Sequence, residues 1–138
     1  MRRLFALVLA LSLPLPASAQ TAEQPSAPIQ QTIQSQIDAM AADDFTAAFS
    51  FAAPNIKGMF GTAGQFEMMV RQGYPMVVAP RNVRMLELRT VAGNLWQRVL
   101  MVDGAGATHL LDYMMVETPE GWQIGAVHLL PSQGVATF

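Results

Sequence analysis

The sequence contains no cysteine. An oxidising compartment would therefore add no disulfide, lipid cannot be attached through an N-terminal cysteine, and stability has to come from burial of apolar surface. Charge is also scarce: charged residues make up 13% of the chain, eight basic against ten acidic, for a formal net charge of −2. No Lys/Arg patch suggests nucleic acid or anionic lipid as a partner. Missing too are a glycine-rich phosphate loop, a His-Glu-x-x-His pair, a serine nucleophile elbow and any zinc-ligand spacing. No internal repeat is visible. What is abundant is apolar, 51% of 138 residues, within the size range of one compact domain.

The first nineteen residues stand apart. Arg2-Arg3, the apolar run Leu4 to Leu15 and the small residues Ala17-Ser18-Ala19 are the three parts of a secretory signal in their usual order. The run is shorter than the roughly 20 residues that span a bilayer, and Pro14 and Pro16 interrupt it. Cleavage after Ala19 is expected, giving a periplasmic or secreted protein with no membrane span. Loss of Arg2 and Arg3 takes the formal charge from −2 to −4. Residues 20–28, with Gln, Thr, Glu, Ser and two prolines and no periodicity, read as a disordered tether. A single α+β domain is expected over 29–138.

From Ile29 the spacing of Ile29, Ile33, Ile37 and Met40 predicts a helix with one apolar face, Pro28 being an early position of it. Asp43-Asp44 predicts the cap of a short second helix with Phe45 and Phe49 on one side. Pro54 is expected to end it, leaving Asn55 to Gly61 irregular or extended. Thr62 to Gln65 has the capping-box spacing and predicts a third helix with Phe66, Met69 and Val70 buried, stopped by Gly73 and Pro75. Met76 to Val78 allows a short strand.

Four apolar runs between Arg81 and Leu130, broken at Gly93-Asn94, Gly104-Ala105-Gly106 and Thr118 to Gly121, predict an antiparallel meander. Those loops propose a register with Thr90 opposite Gln97, Leu88 opposite Val99, Gln97 opposite Tyr113, Tyr113 opposite Ala126 and Leu111 opposite His128. The face expected to meet the helices holds Leu86, Leu88, Leu95, Val99, Met101, Leu111, Met115, Trp122 and Ile124, interrupted by Thr90, Gln97 and Tyr113. The other holds Met85, Val91, Trp96, Leu100, Val102, Leu110, Met114, Val116, Val127 and Leu129 around a row of Arg89, Arg98 and Asp112. It is too apolar to face water, so a homodimer through it is expected.

Helices followed by a curved meander resemble the cone-shaped nuclear transport factor 2-like (SnoaL-like, cystatin-like) architecture. A closer resemblance, to a bacterial family catalogued as domain of unknown function 4864, is carried by several short stretches. They are Ala42-Asp43-Asp44, Phe49 to Pro54, Phe60-Gly61, Met69-Val70-Arg71, Gly73-Tyr74-Pro75, Gln97, Tyr113 and Gly121 to Ile124. The wider superfamily implies a concave apolar pocket, used by some members for isomerase or cyclase chemistry and by many for binding alone. The narrower family implies no activity and no catalytic residues.

The candidate chemistry is sparse. His109 and His128 fall on the expected concave face, where each could be a general base or metal ligand, but neither has a partner at ligand spacing. Nine of the ten methionines lie beyond Ala19, scattered without a copper-type cluster, which fits core filling. Asp112 is expected to pair with Arg98. No cofactor or metal is expected. The expected ligand site is Thr90, Gln97, Tyr113 and His128, with Gln97 and Tyr113 either bonded to one another or held for a ligand. The expected function is non-catalytic binding of a small apolar or amphipathic ligand, or of a protein partner. The alternative is an acid/base enzyme of isomerase or hydratase type.

Export predicts that the N-terminus of protein from an extracytoplasmic fraction, measured by intact mass, begins at Gln20. Protein retaining Met1 there would contradict it.

Overall fold

The computed structural model describes residues 25–131, so the expected leader over 1–19 and residues 20–24 of the tether lie outside the described residues. The first helix, α1, spans Ser26–Ala41 and begins three residues before Ile29. Ser26 to Pro28, expected in the tether, form its first turn, where the missing N–H of Pro28 costs nothing. Ile29, Ile33, Ile37 and Met40 are buried as their spacing requires. Gln36 is buried with them and donates from Nε2 to the Ala48 carbonyl at 3.2 Å, tying α1 to the next helix.

The two adjacent acids have separate jobs. Asp44 caps α2 (Phe45–Ser50), its Oδ1 accepting the Ala47 amide at 3.0 Å. Asp43 sits at φ 60° and pairs with Arg71 at 2.7 Å; the same guanidinium lies 4.7 Å from the centre of the Phe45 ring. Asn55 to Gly61, expected to be irregular, contains α3 (Pro54–Phe60). Pro54 starts this helix instead of ending the previous one, because proline fits a first position that needs no N–H. Gly61, at φ 76°, stops it. Thr62 caps α4 (Ala63–Gly73) by accepting the Gln65 amide at 3.2 Å. In place of a strand at Met76 to Val78 there is a single 3-10 turn, Pro75–Val77, which buries Val77.

The sheet is a four-stranded antiparallel meander in the order β1 (Asn82–Val91), β2 (Asn94–Val102), β3 (Thr108–Thr118) and β4 (Gly121–Leu129). The far edge of β4 is covered by the chain between α2 and α3. Ile124 N donates to the Phe51 carbonyl at 2.9 Å, and Ala53 N to the Ile124 carbonyl at 2.8 Å. This bridge occupies the outer edge of β4 at Ile124.

The central β2–β3 register is the expected one, with Gln97 opposite Tyr113, Arg98 opposite Asp112 and Val99 opposite Leu111. The other two registers differ. The β1–β2 corner is Ala92-Gly93, with φ of 50° and 82°, a left-handed pair suited to a two-residue hairpin. It places Thr90 opposite Leu95 and Leu88 opposite Gln97. A bulge between Met85 and Leu88 then sets Met85 opposite Val99 and Val83 opposite Met101. Met85, expected on the outer face, therefore packs against the core.

Between β3 and β4 the register holds as far as Met115 opposite Ile124, then slips by one. Tyr113 faces Val127 instead of Ala126, and Leu111 faces Leu129 instead of His128. A one-residue slip exchanges faces, so Val127 and Leu129 turn inward and His128 turns outward. Gly125 occupies the slip for a steric reason. A Cβ there would lie 2.7 Å from Val116 Cγ2 and 2.9 Å from Met114 Cε, closer than packed carbon atoms approach.

The helices cover the inner face. The best-packed part of the core joins Ile29 and Ile33 to Val99, Met101 and Leu111, all fully buried. On the outer face Asp112 accepts hydrogen bonds from Arg89 of β1 and Arg98 of β2, the cross-strand row expected from the sequence. The bonds from Arg89 foremost, with those from Arg98 and against the opposing effect of burial, hold the carboxyl down to about 2 from 3.8. A depressed carboxylate stabilises the fold above its unfolded pKa, and the contribution disappears as pH falls through the folded value. Urea unfolding is expected to show wild type losing roughly 2 kcal/mol more than Asp112→Asn between about pH 5 and pH 2. Equal losses in the two proteins would contradict this.

Candidate functional site

A pocket of about 400 Å³ lies between α3, α4, the C-terminal half of α1 and the inner side of β3 and β4. Its walls are apolar: Met40 from α1, Ile56, Met59 and Phe60 from α3, Phe66, Met69 and Val70 from α4, and Tyr113, Ile124 and Val127 from the sheet. Phe66 organises the helical wall, its ring 5.3 Å from that of Phe49 and 6.2 Å, edge-on, from that of Phe60. Among the described residues, none that lines the pocket is Lys, Arg, Asp or Glu.

The polar groups at the wall are few. Gln36 Nε2 is spent on the Ala48 carbonyl, Asn55 Nδ2 donates to the Gly125 carbonyl at 2.9 Å, and the Tyr74 hydroxyl donates to the Val127 carbonyl at 3.0 Å. The last two bonds staple α3 and the end of α4 to β4 beside its bulge. Tyr113 is different. It is 1% exposed, and its hydroxyl forms no side-chain hydrogen bond among the described residues. Burial, with a smaller contribution from neighbouring Tyr74, raises its pKa above the ordinary 10, so it is a neutral O–H and not a phenolate.

The four residues expected to form the site are thereby separated. Tyr113 lines the pocket. Gln97 stands opposite Tyr113 as expected but lies outside the wall, because its amide serves the bulge in β1. Nε2 donates to the carbonyls of Leu86 at 3.0 Å and Arg98 at 2.9 Å, leaving Oε1 buried without a partner. Thr90 is exposed at the end of β1 opposite Leu95 and does not line the pocket. His128 touches the pocket rim, but its ring is 4.9 Å from that of Trp96, on the outer face. The second histidine, His109, keeps its expected face and is held at the sheet end, Nε2 lying 2.8 Å from Asp103 Oδ2. That contact first, then the amides of Ala107 and Ala105, keeps the Asp103 carboxyl below its ordinary range.

Sequence reasoning missed Tyr74, Asn55 and the whole contribution of α3. Reading Pro54 as a first helical residue would have put Ile56, Met59 and Phe60 on a helix close to α4. Among the described residues no cluster of three or more His, Asp and Glu is arranged to hold a metal ion, and no helix is long and apolar enough to cross a membrane.

The fold and site define an α+β domain with helices laid over one face of a four-stranded sheet, leaving an uncharged apolar pocket between the two layers. A family model described as Domain of unknown function (DUF4864) matches residues 22–137, and the chain belongs to that family. No curated protein and no solved structure gives a significant match.

The division of labour between the opposed pair is testable by thermal and chemical unfolding. Gln97→Leu strips two carbonyls of their donor and is expected to cost about 1–3 kcal/mol. Tyr113→Phe deletes an unpartnered hydroxyl and is expected to leave stability within about 0.5 kcal/mol or to raise it. Equal destabilisation by both would mean that the two side chains form one structural unit.

Proposed function

We propose that this protein is an exported, non-catalytic domain of nuclear transport factor 2-like architecture that holds a small apolar or amphipathic ligand in the pocket beneath α3 and α4. The observation that carries the reading is an apolar pocket of about 400 Å³ whose wall, among the described residues, contains no Lys, Arg, Asp or Glu and has the Tyr113 hydroxyl without a side-chain hydrogen bond. Ligand sites are usually concave and apolar, with a few polar groups that set orientation. The acid/base reading needs a titratable side chain aimed into the pocket. His128 and His109 were its candidates, and the ring of one lies tilted against Trp96 while the other is engaged by Asp103. Binding is therefore better supported than isomerase or hydratase chemistry.

Export rests on the leader residues, and a small apolar ligand suits a periplasmic or secreted carrier. The site needs no cofactor for binding of this kind. Nuclear magnetic resonance titration with naphthalene is expected to shift signals of Ile56, Met69, Val70 and Val127 together. Ile56→Trp, which places an indole at the α3 wall, should abolish those shifts without unfolding the protein. Shifts scattered over the surface, or unchanged in the variant, would reject the pocket.

We also propose a homodimer through the outer sheet face. Trp96, Leu100, Leu110 and Met114 remain half-exposed there around the ion-paired Asp112. Sedimentation at micromolar concentration should report a dimer for wild type and a monomer for Leu100→Glu. A monomeric wild type would dismiss it.

A further inference from the structure

We infer that the pocket is selective for neutral molecules that are mostly hydrocarbon and carry one oxygen able to accept a hydrogen bond, such as a ketone, and that Tyr113 is the residue that reads this oxygen. The inference rests on the binding reading above and specifies its ligand class.

Size comes first. At about 30 Å³ for each water-sized group, 400 Å³ holds roughly a dozen non-hydrogen atoms, so the ligand is comparable to a substituted bicyclic ring or a medium-length chain. Charge follows from the wall. A carboxylate or ammonium entering this space would shed its water and meet no opposite charge, because among the described residues the lining has no Lys, Arg, Asp or Glu and its one histidine, His128, has its ring against Trp96 on the outer face. The charged groups closest in chain order, Lys57 and Glu67, belong to α3 and α4 but are absent from the lining.

Polarity follows from what the wall has already spent. The Tyr74 O–H donates to the Val127 carbonyl, and the amide nitrogens of Asn55 and Gln36 donate to the carbonyls of Gly125 and Ala48. The Tyr113 hydroxyl keeps its proton and has no partner among the described residues. Tyr113 lines the pocket from β3, paired in register with Val127 of β4. Gln97 stands opposite Tyr113 with Nε2 committed to the carbonyls of Leu86 and Arg98, and its Oε1, though unpaired, accepts no hydrogen bond from Tyr113. A hydroxyl donor in an otherwise apolar wall gains a hydrogen bond when a ligand oxygen is brought to it. Burial also keeps the phenol neutral, so it can donate but cannot act as a resident base.

The test uses four naphthalene derivatives of nearly equal size on the full mature chain, followed by calorimetry or fluorescence: acetylnaphthalene, ethylnaphthalene, naphthoate and naphthylmethylamine. Wild type should bind the ketone at least tenfold more tightly than the carboxylate or the amine. Tyr113→Phe should weaken the ketone about fivefold and leave ethylnaphthalene within about twofold, since a neutral hydrogen bond is worth that ratio. The melting temperature of the variant without ligand shows that it is folded, and Tyr113→Leu provides a second deletion of the hydroxyl. Naphthoate binding as tightly as the ketone, or a ketone affinity indifferent to both substitutions, would overturn the inference while leaving an apolar pocket in place. Failure of all four compounds to bind wild type would overturn this inference and the binding function together.

Discussion

Two interruptions in the pairing of the sheet, at Leu86-Glu87 of β1 and at Gly125 of β4, decide where every functional side chain ends up. A strand alternates its side chains with a period of two, so one extra residue exchanges its faces. Both bulges are held by specific chemistry. In β1 the buried Gln97 amide spans the Leu86 and Arg98 carbonyls, supplying a donor that the broken ladder does not. In β4 only a residue without a Cβ fits against Val116 and Met114, and the Asn55 amide bonds the Gly125 carbonyl. Bulges also bend the strands that contain them, which gives the sheet the curvature it wraps around the helices.

The same constraint divides the inner face into a packed half and an open half. Toward α1 the sheet meets Ile29, Ile33 and Ile37 with side chains that are almost wholly buried. Toward α3 and α4 the β4 bulge brings Val127 to the inner face, and α3 itself has no fully buried residue. The pocket lies where α3 stands off from the sheet. Tyr113 lines it, set between Gln97 and Val127 in the two neighbouring registers. The Tyr113 hydroxyl has no side-chain hydrogen bond among the described residues, so it is a donor that an occupant can engage.

Apart from α3 and the 3-10 turn at Pro75–Val77, the order of elements was legible because it depends on local signals. The four-residue spacing of isoleucines made α1, Asp44 and Thr62 capped α2 and α4, and loop composition located the three hairpins. The β2–β3 register was legible for the same reason, since nothing interrupts it, and with it came the Arg98–Asp112 pairing. The bulges were not legible. Gly125 looks like any strand glycine until Met114 and Val116 are folded against it, and nothing in Leu86-Glu87 announces a slip that Gln97, ten residues later, repairs. One missed bulge sent His128 to the pocket and Val127 to the outside, and the other exchanged Met85. Thr90 was misplaced by the choice of Gly93-Asn94 over Ala92-Gly93 as the corner. Of the four expected site residues two line the pocket, Tyr113 from β3 and His128 at the rim, with its ring turned to Trp96.

The most direct test of this account is the side of the sheet on which His128 lies. With the β4 bulge in place, nuclear Overhauser spectra should connect the His128 imidazole protons to the indole of Trp96, whose ring is 4.9 Å away. The Val127 methyls should connect instead to Tyr113 and to side chains of the pocket wall. Contacts from the His128 ring to Leu111, with the Val127 methyls facing Met114 and Trp96, would mean an unbroken register, and the pocket described here would have a different lining.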